Sequence, residues 1–150
     1  MKQIKIKKLN PYAIIPHYAH EGDAGMDVYS TINFTLKPNH RSMIPTGLSF
    51  EIPKGYELQI RPKSGIAIKK GITLLNTPGT LDSGYRGELK IIMINHSSEE
   101  YKIKKGEKIA QIVLAKYEEA NIIEIEELNE TARGKGGFGS TGLKKNWNIN

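Results

Sequence analysis

Between residues 79 and 88 the chain reads GTLDSGYRGE. One carboxylate, Asp82, stands among turn-forming glycines, three residues before an aromatic ring, Tyr85. A carboxylate, a ring and free backbone amides in one short turn can hold a nucleoside and activate a water beside it. Asp, Ser and Gly are also ordinary turn residues, and the stretch taken alone requires no function.

Four further stretches carry chemistry of their own. In DAGMDVYS (23–30), Asp27 sits between apolar neighbours after a glycine turn. It is a strand-entry carboxylate, or one that holds a hydrated Mg²⁺ through water, since Mg²⁺ keeps several of its waters. In RPKSGIA (61–67), Ser64 and Gly65 open a short helix, where free N–H groups and the helix dipole favour a phosphate. Lys63 adds a point charge there, although a plain N-cap explains the same residues. In GEKIAQIVL (106–114), Gln111 is the polar exception in an apolar strand. A buried amide needs partners, so Gln111 either satisfies the core or orients a water. In RGKGGFGSTG (133–142), Arg133, Lys135, Ser140 and Thr141 are phosphate-type contacts and Phe138 is a lone ring able to stack on a base. The stretch is not a Walker loop, because the GK[ST] ending and the strand–helix context are missing. A disordered low-complexity tail accounts for its composition equally well.

The elements that must position these residues are mostly strands. GITLLN (71–76) and LKIIMIN (89–95) flank the 79–88 turn and read as two strands of a hairpin. IKIKKL (4–9), INFTL (32–36), SMIPTGLSFEI (42–52), YELQI (56–60) and KIAQIVLAKY (108–117) show the same period of two. Turn signals at KPNH, IPKGY, KKG and HSSEE separate them. Many short strands with such punctuation predict an all-β barrel, sandwich or jelly roll. One helix is expected, SGIAIKKG (64–71), with Ser64 at its N-cap and Gly71 at its C-terminal stop. NIIEIEEL (121–128) reads as a late strand. From residue 131 the chain is rich in Gly, Lys and Asn with no apolar period, which predicts a single β domain over 1–130 and a mobile arm over 131–150.

A chain of 150 residues with 38% hydrophobic and 25% charged residues matches one ordinary globular domain. It has no cysteine, which excludes disulfides, thiolate metal sites and cysteine nucleophiles and fits a reducing cytoplasm. The opening MKQIKIKKLN alternates Lys with Ile, so it reads as a strand rather than a signal peptide. Its apolar runs are too short to cross a bilayer. The net charge of +6 attracts nucleic acid or a small polyanion such as a nucleotide. The lysines are scattered (Lys2, Lys5, Lys7, Lys8, Lys69, Lys70, Lys104, Lys105, Lys144, Lys145), with no basic block interleaved with aromatics. A solvated lysine-rich surface is the expectation, and no nucleic-acid partner is expected.

Taken together, AGMD, PKSG, GTLDSGYRGE, GEKIAQ and RGKGGFGSTG, in that order from residue 24 to 142, resemble the trimeric dUTPase family. The resemblance implies a distorted jelly-roll-like subunit, a homotrimer with sites at subunit interfaces, and a glycine-rich arm that closes over them. It implies Mg²⁺-dependent cleavage of dUTP to dUMP and pyrophosphate, which limits uracil in DNA and supplies dUMP for thymidylate synthesis. Asp82 matches the carboxylate that activates the attacking water, Gln111 a water-positioning side chain, and Asp27 the Mg²⁺-water contact. Tyr85 matches the ring that packs on the deoxyribose, and Asn76 the uracil-reading amide. Backbone groups near Thr80, Leu81 and Lys90 match contacts to base and sugar. Lys63, Ser64 and Gly65 match phosphate contacts, and Arg133, Phe138, Ser140 and Thr141 match the closing arm. Two positions depart from the family pattern: Lys63 stands where an arginine is usual, with Arg61 two residues earlier as a substitute, and Gly84 stands where many members carry an acid. The competing readings are a dCTP deaminase of the same superfold, a non-enzymatic nucleic-acid-binding β module and a uracil-nucleotide sensor without turnover.

Overall fold

The computed structural model describes residues 2–142; Lys144, Lys145 and Trp147 lie outside them. The chain divides into two units, Met1–Glu119 and Ala120–Asn150. In the first unit, β1 (Lys5–Lys8) pairs with β5 (Leu48–Glu51), and β3 (Phe34–Leu36) with β10 (Tyr101–Ile103). A four-stranded sheet runs β2 (Gly25–Tyr29), β11 (Lys108–Lys116), β6 (Tyr56–Arg61), β8 (Gly79–Leu81). A three-stranded sheet runs β4 (Arg41–Pro45), β9 (Lys90–Asn95), β7 (Ile72–Leu74). Every ladder is antiparallel. The all-β expectation holds, with one short helix and, among the described residues, no sheet closed into a barrel.

The strands form where apolar residues alternate, because alternate side chains then share one buried face. In β2 the inward pair is Met26 and Val28, in β9 Ile91 and Met93, in β6 Leu58 and Ile60. These meet Leu36, Ile44, Leu48, Phe50, Ile72, Ile103, Ile109 and Ile112 in one core. Asn95 is one of the buried polar residues: its Nδ2 donates to the carbonyls of Leu36 (3.0 Å) and Glu99 (2.8 Å), and its Oδ1 accepts from Ser97 N and Oγ.

Four sequence expectations need correction. The run 42–52 is not one strand. It breaks at Thr46 and Gly47, the latter at φ +67, because β4 ladders with β9 while β5 leaves to pair with β1. A Cβ at Gly47 would stand 2.6 Å from Asn10 Nδ2, so the pivot is tight as well as left-handed. The hairpin is real, with Ile72 opposite Asn95 and Leu74 opposite Met93, but its connection is more than a turn. Residues 79–81 form β8, which pairs with β6 in the other sheet. The helix α1 (Ser64–Lys70) begins one residue earlier than expected: Lys63, in extended conformation, is its N-cap and makes no side-chain capping bond, so Ser64 is the first helical residue. Its C-cap is Gly71, left-handed at φ 64, as glycine's missing Cβ allows.

In the second unit, 121–128 is not a strand: it joins no ladder among the described residues. Ile122, Ile123 and Leu128 are left largely exposed. Residues 131–142 form successive turns, closed by bonds such as Gly134 N to Thr131 O (3.0 Å) and Gly142 N to Gly139 O (2.9 Å).

Candidate active site

The crossing of β8 from one sheet to the other has a chemical consequence. It lays Gly79–Leu81 along β6 and swings Asp82 and Tyr85 out over the β7–β9 ladder, with a cavity of about 480 Å³ between. Six sequence-predicted residues line it: Asn76, Thr80, Leu81, Asp82, Tyr85 and Lys90. Ile60, Leu74, Leu89 and Ile91 make an apolar floor, and Met43, 60% exposed, stands at its edge. The Asn76 amide lies against Gly79, where a Cβ would come within 3.2 Å of Nδ2. The Tyr85 ring lies over Gly87, where a Cβ would meet its hydroxyl at 2.2 Å, and that hydroxyl donates to the Glu88 carbonyl at 3.3 Å. Asp82 is exposed, and its carboxylate makes no side-chain hydrogen bond among the described residues. The arrangement offers a flat apolar slot with an amide at one side, a ring at another and an open carboxylate at the mouth.

A second cluster forms across β2 and β11. Asp27 pairs in register with Gln111, and both line a cavity of about 360 Å³ together with Lys63, His17 and Asp23. The Asp27 carboxylate accepts Lys63 Nζ on Oδ1, and its Oδ2 lies 2.8 Å from Lys108 Nζ. Burial alone would push the Asp27 carboxyl up, but the hydrogen bonds and charges of Lys108 and Lys63 together outweigh it and hold the carboxyl below its ordinary value. Lys108 is raised in return by its hydrogen bond to Asp27. Lys63 is therefore engaged with the Asp27 carboxylate. Arg61, its sequence substitute, is tied to Gln59, with Nη2 at 2.6 Å from Oε1. Gln111 Nε2 donates to the Pro62 carbonyl at 2.9 Å, which anchors the amide at the mouth of this cavity. Ser64 and Gly65 follow Lys63 at the exposed start of α1.

The two clusters do not meet within one chain. Three strand spacings, about 14 Å in total, separate β2 from β8. Asp82 lies roughly four residues, or about 13 Å, farther along its strand than the row through Asp27, Gln111 and Arg61. Asp82 and Gln111 cannot therefore touch one reacting atom from the same chain. Of the arm residues, Arg133 Nε donates to Gly136 O at 2.9 Å, and Phe138 is fully exposed at φ +49.

A family model described as dUTPase matches residues 11–142, which covers both clusters and the 133–142 turns. The chain belongs to the dUTPase family. It is 59% identical over 140 residues to a deoxyuridine 5′-triphosphate nucleotidohydrolase of Nautilia profundicola, covering 93% of this chain and 99% of that protein. It is 53% identical over 143 residues to the enzyme of the same name from Clostridioides difficile, covering 95% and 100%. Among solved structures, a Staphylococcus bacteriophage 80alpha dUTPase with dUPNHPP superposes with a TM-score of 0.88 at 27% identity, covering 95% of this chain and 100% of that one. Within this dUTPase family member, sequence reasoning missed the groups that hold the site. Glu88 lines the nucleoside-sized cavity, and its Oε1 accepts the Gly47 N–H at 2.9 Å. Thr46 Oγ1 donates to Leu89 O at 2.6 Å, and Ser49 Oγ to Arg86 O at 2.6 Å. No motif announces these contacts, because Thr46, Gly47 and Ser49 lie some forty positions away along the chain.

Proposed function

We propose that the protein hydrolyses dUTP to dUMP and pyrophosphate, with the deoxyuridine in the 480 Å³ cavity and the triphosphate reaching toward an Asp27–Lys63–Gln111 cluster. The observation that carries this reading is the convergence of Asn76, Asp82 and Tyr85 on one cavity. Asn76 reads the uracil edge, as an amide offers both donor and acceptor. Tyr85 packs on the sugar and leaves no room for a 2′-hydroxyl. Asp82, open at the mouth, takes the proton of the water that attacks the α-phosphorus.

The separation of the two clusters favours a site shared between copies of the chain: the hairpin of one subunit, the Asp27 cluster of another, and Arg133, Phe138, Ser140 and Thr141 of an arm closing over the nucleotide. A homotrimer fits this need. The exposed apolar residues of 121–128 supply chain that such an assembly would bury, since isolated extended backbone with apolar side chains gains from a ladder partner. We divide the protein accordingly into a β domain over 1–130 and an arm over 131–150.

Among the described residues no three His, Asp or Glu side chains cluster to chelate a metal. Asp27, ionised and already accepting two ammonium groups, suits an ion carried in on the phosphates and touched through water. Bound in that way, Mg²⁺ would neutralise charge on the triphosphate. Lys63 beside Asp27 and Arg133 on the arm supply further positive charge, and Gln111 orients a water. No described helix is long and apolar enough to cross a membrane, and the absence of cysteine fits a cytoplasmic enzyme.

The test is a panel of dUTP, dCTP, dTTP and UTP with Mg²⁺, reading pyrophosphate and ammonia. Pyrophosphate from dUTP, with UTP and dTTP poor, is expected. Ammonia from dCTP would instead make the protein a deaminase, and binding of dUTP without turnover would make it a sensor.

A further inference from the structure

The segment that presents Asp82 and Tyr85 has little of its own to keep it in place. Residues 82–87 are exposed or half-buried and include Gly84 and Gly87. A side chain at Gly84 would meet nothing within 4 Å. One backbone bond, Tyr85 N to Asp82 O at 3.1 Å, closes the turn. Yet a general base and a sugar gate must stand still relative to each other, since misplacement by about 1 Å can lower a rate about 100-fold.

Arg86 holds the turn instead. Its Nη1 donates to Ser83 O at 2.7 Å and to Tyr85 O at 3.0 Å, the carbonyls on either side of Gly84. The same nitrogen reaches Phe50 O on β5 at 3.5 Å. The Arg86 carbonyl in turn accepts the hydroxyl of Ser49, which is only 7% exposed, at 2.6 Å. The guanidinium thus folds back over the turn and ties it to β5, whose Phe50 belongs to the core. All these contacts run through Nη1, whose two N–H groups the planar guanidinium holds in one fixed plane, whereas an ammonium is a freely rotating point donor.

We propose that Arg86 is a positioning residue: its side chain sets the geometry of the 82–85 turn and thereby where the Asp82 carboxylate and the Tyr85 ring stand relative to a bound nucleotide. This rests on the dUTP-hydrolase reading above. Arg86 itself faces away from the reacting atoms, among Lys5, Lys7, Ser49 and Glu51.

The experiment compares wild type, Arg86→Ala and Arg86→Lys by amide hydrogen exchange, thermal unfolding and steady-state hydrolysis of dUTP and UTP. In Arg86→Ala the Tyr85 amide should exchange about 10-fold faster, the equivalent of one net hydrogen bond. Its kcat for dUTP should fall about 100-fold, the preference for dUTP over UTP should narrow, and the melting temperature should hold. Arg86→Lys should fall between. Unchanged exchange over 83–87 overturns the proposal, as does a loss of kcat that leaves exchange and the dUTP-to-UTP preference untouched. A wild type that releases no pyrophosphate from dUTP would sink the hydrolase reading, and the exchange comparison would still decide whether Arg86 holds the turn.

Discussion

Replacing Gly25 by alanine should separate activity from stability. An alanine Cβ there would stand 2.3 Å from Gln111 Oε1 and 3.3 Å from its Cδ. Ordinary contact between such atoms is about 3.5 Å, so the amide must retreat by about 1 Å or more. The atom in the way is the end of a flexible side chain rather than backbone, and Gly25 is not among the left-handed glycines, so the strand itself accepts alanine. The structural loss is then the Gln111–Pro62 hydrogen bond, about 0.5–1.5 kcal/mol. Reduced freedom of the unfolded chain returns about 0.4–1 kcal/mol. The net change in stability should stay within about 1 kcal/mol, while a water-orienting amide displaced by 1 Å should lower kcat by about 10- to 100-fold. Pyrophosphate release and urea unfolding measure the two on the same preparations. Gln111→Ala should lose as much, and the double variant no more than Gln111→Ala alone, because both act through one amide. Wild-type kcat in Gly25→Ala would refute the role of Gln111. Losses that multiply in the double variant would mean that Gly25 matters for another reason.

Asp82→Asn should keep its affinity for dUPNHPP by calorimetry and lose nearly all turnover, and a variant with wild-type rate would remove Asp82 from the chemistry. Ending the chain after residue 130 should cut turnover strongly while unit Met1–Glu119 keeps its melting temperature and the proposed trimer its sedimentation; a sedimentation coefficient lowered beyond the lost mass would make the arm structural instead. Asp27→Asn should destabilise the fold by about 1–2 kcal/mol near neutral pH, since it strips charged hydrogen-bond partners from Lys63 and the half-exposed Lys108. Because the Asp27 carboxyl is depressed in the fold, its contribution is present above the ordinary value of 3.8 and is lost as pH falls through the folded value. Urea unfolding from pH 3 to pH 7 should therefore show the variant and wild type converging below about pH 4.

Much of the site was legible because its residues are local in sequence. Asp82 and Tyr85 share one turn, Asn76 lies six residues before Asp82, and all three reach the same cavity. The strands were legible for the same reason, since period-two burial is a property of neighbours. Segment 121–128 departs from the strand expectation because alternation signals only a strand able to bury one face, and no described strand offers it a ladder. The N-cap falls one residue before the expected Ser64, since Lys63 already holds the extended backbone that precedes the helix.

From the sequence alone came the chemical types, their order and the all-β character, because motifs and periodicity are written in short stretches. Only the tertiary structure decided how they meet. Whether 42–52 is one strand or two depends on which sheets claim its halves, and Gly47 turns between them. That Lys63 faces Asp27 rather than open solvent depends on β2 and β6 lying on either side of β11. That Asp82 and Gln111 stand apart, just past β8 and on β11 with β6 between them, depends on the strand order β2-β11-β6-β8. Each of these is a pairing between residues tens of positions apart. Such pairings follow from which ladders and core contacts together bury the most apolar surface, a property of the whole chain that no short segment carries.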